Sequence, residues 1–144
     1  MVWLPRLRTI PVRRILCVDD DPEVLQLLGR VLRQSGYVVD EAPTGAAARS
    51  AVAASPPALL ILNVELPDMD GWTLLREIRA APRTRSLPVL VLTGPAQDQA
   101  DRAAALEADE FLTKPVSPTV VLGIVRELMG RVSQPRYDLP RTPA

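Results

Sequence analysis

The sequence predicts an α/β fold in three layers, an open parallel sheet with helices on both faces, and three observations lead to it. Short apolar runs recur at Ile15–Val18, Ala58–Leu62 and Val89–Leu92, with weaker ones at Tyr37–Val39 and Phe111–Leu112. Their apolarity is continuous rather than alternating, which marks strands covered on both faces, as in a parallel sheet. Segments of helical period separate them, so the chain reads as five βα units wound into a doubly wound sheet with five helices.

The first strand ends in three acids, and Asp21 followed by Pro22 reads as the cap and first position of a helix. Val24, Leu27, Leu28 and Val31 share one face of that helix, and Gly36 stands where it stops. The next helices are expected over Thr44–Ala54, Trp72–Ala81 and the alanine-rich stretch Ala96–Leu106. Ser117 followed by Pro118 repeats the capping device, and Val121, Ile124, Val125 and Leu128 form the inner face of the last helix, with Gly130 at its expected end. Proline cannot sit inside a helix or a central strand, and between Ile15 and Arg131 every proline falls beside an apolar run. Trp72 is expected to pack at the start of its helix, and Cys17 to be a buried apolar residue within the first strand.

Composition narrows the function. The chain has 144 residues, the size of one domain, with 47% apolar and 24% charged residues, which is ordinary for a packed core. No apolar run approaches the ~20 residues of a membrane span, and the start carries no signal peptide, so a cytoplasmic protein is expected. One cysteine forbids an internal disulfide, and the absence of histidine excludes Ser/His/Asp and Cys/His catalysis together with the commonest zinc ligand. Residues 1–14 hold four arginines and no acid, whereas 15–131 holds 11 basic and 16 acidic residues. The domain is therefore mildly acidic, and without a broad basic face nucleic acid is not an expected partner. The organisation expected is a basic flexible arm over 1–13, a domain over 14–131 and a proline-rich flexible tail over 132–144.

In folds of this kind ligands sit at the carboxyl ends of the strands. There the first strand offers Asp19 and Asp20, the third Asn63, the fourth Thr93 and the fifth Lys114. Capping accounts for Asp21 but leaves Asp19 and Asp20 unexplained. Two adjacent carboxylates need a compensating cation, a lysine or a divalent metal such as magnesium. Lys114 is the only lysine beside 16 arginines, consistent with a need for a compact ammonium rather than a planar fork. Thr93 is a candidate donor to an anion.

Four segments, Ile-Leu-Cys-Val-Asp-Asp-Asp-Pro at 15–22, Leu-Pro-Asp-Met-Asp-Gly at 66–71, Leu-Thr-Gly at 92–94 and Phe-Leu-Thr-Lys-Pro at 111–115, resemble the receiver domain of bacterial two-component response regulators. The resemblance spans about Arg14 to Arg131. It implies the flavodoxin-like strand order 2-1-3-4-5 and an acidic magnesium pocket. By the same resemblance Asp19 and Asp20 match the metal-binding acid pair, Glu65 supplies a backbone carbonyl to the metal, and Thr93 is the switch hydroxyl. Lys114 matches the lysine that pairs with the phosphoryl group, Phe111 the aromatic switch position, and the Lys114–Pro115 peptide is expected to be cis.

Asn63 departs from the pattern, standing where the family carries its phospho-accepting aspartate. A carboxylate oxygen can attack phosphorus, whereas the nitrogen lone pair of an amide is delocalised, so ordinary phosphotransfer is expected to fail. One anionic group is lost from the pocket, and magnesium binding is expected to weaken. Glu107 is a second departure, at a position where relatives often have glycine. Phe111 lacks a hydroxyl, so aromatic switching there would proceed by packing alone.

Three readings follow. In the first, the chain is an atypical receiver, not an enzyme, that works by protein contact with a histidine kinase or a downstream regulator, or as a homodimer. The expected contact face comprises the helix over Ala96–Leu106, the fifth strand and the last helix. The 13 residues after Arg131 are too few for a DNA-binding effector domain, which favours output through such contacts. In the second, Asp20 or Glu65 substitutes as phosphate acceptor, or Asn63 stands in for an aspartate through engineering or deamidation. The third is a flavodoxin-like domain for a small ligand, disfavoured by the lack of a phosphate-cradling glycine loop.

Overall fold

A computed structural model describes residues 13–94 and 107–133. Five parallel strands, β1 Arg14–Val18, β2 Val38–Ala42, β3 Leu59–Asn63, β4 Val89–Thr93 and β5 Glu110–Thr113, form one sheet in the order β2-β1-β3-β4-β5. The described helices are α1 Pro22–Gln34, α2 Gly45–Ala54, α3 Gly71–Ala80 and α4 Pro118–Ser133. The expected count of five helices is not matched: four are described, and the segment Ala96–Leu106 lies outside the described residues, as do 1–12 and 134–144.

The sheet divides two apolar layers. Leu16, Val18, Leu60, Leu62, Val89 and Val91 face α2 and α3, which contribute Val52, Trp72, Leu75 and Ile78. Ile15, Cys17, Leu59, Ile61, Leu90 and Leu92 face α1 and α4, which contribute Leu28, Leu32, Val121, Val125 and Leu128. Every residue of β3 and β4 is buried, which is why those strands read as unbroken apolar runs. Strand β2 differs because it lies at the sheet edge and is more polar. Only Val39 and Ala42 of it are buried, so its apolar signal stopped at Val39 although pairing with β1 carries it to Ala42.

Side chains set the helix starts. Asp21 Oδ1 accepts Glu23 N–H at 2.9 Å with Pro22 at the first position, Thr44 Oγ1 accepts Ala47 N–H at 3.0 Å, and Asp70 Oδ1 accepts Trp72 N–H at 3.0 Å. Helix α1 ends at Ser35, and Gly36 turns the chain with φ of 96°, a region that strains any residue bearing a Cβ.

Two helix expectations are corrected. The inner face of α1 is Leu25, Leu28 and Leu32, while Leu27 is 38% exposed. The i, i+3, i+7 stripe of these leucines turns Leu27 outward, while Val24 stays partly buried against the same core. Gly130 does not end the last helix, because α4 continues through it to Ser133. A helical glycine costs only about 1 kcal/mol, and the burial of Leu128 and Met129 immediately before it outweighs that.

Candidate functional site

The parallel sheet delivers polar residues to one edge. Asp19 follows β1 and is held by its N–H on Ala42 O, Asn63 ends β3, Thr93 ends β4, and Lys114 follows β5 with its N–H on Thr93 O at 2.7 Å. The Lys114–Pro115 peptide is cis. Asp19, Asn63 and Thr93 are each at most 1% exposed, whereas Asp20 lies at the surface.

The structure brings five of the sequence-derived positions together, Asn63 with Asp19, Asp20 and Glu65 about its amide and Lys114 joined through Asp19. Its Nδ2 lies 3.0 Å from the Glu65 carbonyl, 3.3 Å from Asp20 Oδ1 and 3.4 Å from Asp19 Oδ1, while its Oδ1 accepts Glu65 N–H at 3.2 Å. Asp19 is committed on both oxygens. Oδ1 also accepts Asp21 N–H at 2.9 Å, and Oδ2 forms an ion pair with Lys114 Nζ at 2.9 Å. That pair lacks hydrogen-bond alignment, and among the described residues no hydrogen-bond donor reaches Oδ2, so the ammonium charge is its compensation.

Two positions stand apart from this cluster. The Thr93 hydroxyl donates to the carbonyl of its neighbour Gly94 at 3.1 Å. Phe111 packs, partly buried, against the core layer beneath α2 and α3. Gly94 has a steric role as well: a Cβ there would lie 3.0 Å from both carboxylate oxygens of Glu65, so that side chain occupies the space a larger residue would need.

The loop from β3 to α3 is clamped by residues that sequence reading passed over. Asp68 receives Gly45 N–H at 2.8 Å and Ala46 N–H at 2.9 Å, capping α2 from 22 and 23 positions away and lowering its own pKa through those bonds. Met69 lies where a Cβ on Gly45 would stand. At the other end of the loop, Gly71 donates to Val64 O at 2.9 Å, and a Cβ on it would meet Val64 Cα at 2.5 Å. The Pro67-Asp68 pair signals a turn, but nothing local shows that its carboxylate reaches another helix.

Carboxylates and carbonyls are the ligands a magnesium ion takes, and receiver domains bind magnesium at such an acidic pocket. Here the three oxygens offered by Asp19, Asp20 and Glu65 converge on an N–H donor, an arrangement that does not fit a cation as it stands. Among the described residues no cluster of three or more His, Cys, Asp or Glu side chains is placed to hold a metal.

Residues 15–126 match the response regulator receiver domain, and the chain belongs to that family, whose members act in two-component signalling. It is 41% identical over 121 residues to the transcriptional regulatory protein GltR of Pseudomonas aeruginosa, matching 83% of this chain and 50% of that protein. The chain thus spans about half the length of that relative. Identity to an uncharacterized 14.6 kDa protein of Leptolyngbya boryana is 37% over 123 residues, 84% of this chain and 93% of that protein. The structure of a CheY-like receiver domain protein from Methanospirillum hungatei superposes with a TM-score of 0.78 at 27% identity, covering 86% of this chain and 99% of that one. The flavodoxin-like strand order agrees with these likenesses.

Proposed function

We propose that this chain is an atypical receiver that signals through protein contact and does not undergo ordinary aspartyl phosphorylation. The observation that carries the reading is Asn63, buried at the end of β3 with its amide bonded to both acids of the pocket and to the Glu65 backbone. No carboxylate oxygen stands at the acceptor position, and the amide offers no usable nucleophile.

In this reading Asp19 and Asp20 are the remaining acid pair, Lys114 balances Asp19, and magnesium binds more weakly than it would to Asn63→Asp. The domain is an interaction module rather than a catalyst. Its partners are a histidine kinase, a downstream regulator or a second copy, engaged through β5, α4 and the segment 96–106, which lies outside the described residues. A cytoplasmic location belongs to the same proposal; no helix among the described residues is long and apolar enough to cross a membrane.

Incubation with acetyl phosphate and magnesium, followed by intact-mass measurement, tests it. No adduct is expected. A stoichiometric gain of one phosphoryl group overturns the reading, and its mapping to Asp20 or Glu65 would establish a substitute acceptor.

A further inference from the structure

We infer that the side-chain amide of Asn63 takes the place of the cation in this pocket, so that the acid cluster is held together without a divalent metal. The inference deepens the proposal above. It rests on placing Asn63 at the acceptor position, and not on whether any other carboxylate of the chain can be phosphorylated.

The groups around Asn63 fix the orientation of its amide. Nδ2 carries two protons and faces three acceptors, with the Glu65 carbonyl at 3.0 Å and Asp20 and Asp19 at 3.3 and 3.4 Å. Oδ1 faces the Glu65 N–H at 3.2 Å. The reverse orientation would set Oδ1 against two carboxylates and a carbonyl with no proton among them, and Nδ2 against another N–H donor. The hydrogen-bond inventory therefore decides the orientation.

This orientation ties the pocket together from within, leaving only Asp19 Oδ2 without a hydrogen bond and compensated by the Lys114 charge alone. Asp19 holds Lys114 on one oxygen, and Asp21 N–H and the Asn63 amide on the other. Asp20 and Glu65 O are tied to the same nitrogen. Donor protons thus stand where a cation would draw these oxygens together. An aspartate at position 63 has no proton to offer and adds a third negative charge, so it would depend on a cation for the same cohesion. For a metal to enter this chain's pocket, the amide must turn Oδ1 inward. That breaks its bond with Glu65 N–H and aims Nδ2 at that N–H instead.

Thermal melts of the full chain in EDTA and in millimolar magnesium chloride test the inference, beside Asn63→Asp and Asn63→Ala. The wild-type midpoint is expected to change far less between the two solutions than that of Asn63→Asp. Asn63→Asp should melt several degrees lower in EDTA and recover with magnesium, because a ligand that binds only the folded state raises its stability. Asn63→Ala, which keeps the charge but removes the donor, should also fall in EDTA. Should Asn63→Asp not fold without metal, the Ala variant and side-chain amide NMR carry the test: the Asn63 NH2 protons of the wild type should exchange slowly and not shift with magnesium. A wild-type midpoint that rises with magnesium as far as that of Asn63→Asp overturns the inference. So does an Asn63→Ala variant as stable as wild type in EDTA, or an Asn63 NH2 group that exchanges as fast as an exposed amide. None of these readouts depends on phosphorylation, so failure here and failure of the phosphorylation reading are separable.

Discussion

Lys114 Nζ stands 2.9 Å from Asp19 Oδ2, and the other oxygen of that carboxylate receives Asp21 N–H and faces the Asn63 amide. The two residues come from opposite sides of β3 and β4, so the pair bridges the carboxyl edge of the sheet from the strand β1 side to β5. Asp19 is 1% exposed, and at that depth a carboxylate must keep its counterion.

Lys114→Met removes that counterion and leaves Asp19 buried with one oxygen uncompensated. Breaking one side of such a pair should destabilise the fold by about 3 kcal/mol. Urea unfolding checks it; a midpoint equal to wild type would mean that water reaches Asp19 and the pair is dispensable.

Glu107 has φ of 62°, a left-handed conformation that costs a side-chain-bearing residue about 1–2 kcal/mol. Glu107→Gly relieves that strain and returns part of the gain through the freer unfolded chain, for a net stabilisation of about 0.5–1 kcal/mol. Differential scanning calorimetry should show a raised midpoint, and a lowered one would contradict the strain argument.

Arg79 holds this same turn. Its guanidinium donates to Glu107 O at 2.8 and 3.0 Å, to Leu87 O at 2.7 Å and to Arg85 O at 3.2 Å, and pairs with Asp109 at 3.1 Å. Arg79→Lys keeps the charge but loses the planar fork, leaving carbonyls without donors, and should cost about 2 kcal/mol. Hydrogen exchange should reveal the consequence locally, as faster exchange of Leu87 and Asp109 amides; unchanged protection there would show that the fork is not what orders the turn.

Cys17 is fully buried in β1, and burial first, then the nearby Glu41 charge, pushes its thiol from the ordinary 9.0 up to about 12. In the unfolded chain the thiol ionises near 9, while in the folded chain it keeps its proton, so the unfolded state binds fewer protons between these values. Its contribution to stability is whole below pH 9 and declines as pH rises toward 12. Unfolding free energies of wild type and Cys17→Ala should be offset at pH 8 by the cavity cost of the variant and converge as pH rises to 11, because only wild type loses stability there; parallel curves would refute the buried-thiol account.

Much of the fold was legible because its signals are local. The unbroken apolar runs of β3 and β4 and the Asp21-Pro22 cap of α1 depend on neighbours within a few residues. A parallel sheet sends every strand's carboxyl end to one edge, so Asp19, Asn63, Thr93 and Lys114 could be placed near one another from strand ends alone. The identity of position 63 was also plain in the sequence, and it carries the proposed loss of phosphotransfer.

What the tertiary structure decided depends on partners distant in the chain. The length of β2 follows from pairing with β1, since its own residues are mostly polar. The path of α4 through Gly130 follows from burial of Leu128 and Met129 under the sheet. The reach of Asp68 to α2, the hold of Arg79 on Glu107 and the turning of the Asn63 amide toward Asp19, Asp20 and Glu65 O are each fixed by donors and acceptors brought in by other elements. A side chain's rotamer is chosen by the groups around it, and those exist only once the chain has folded; residue identity set what chemistry was available, and packing set where each donor points.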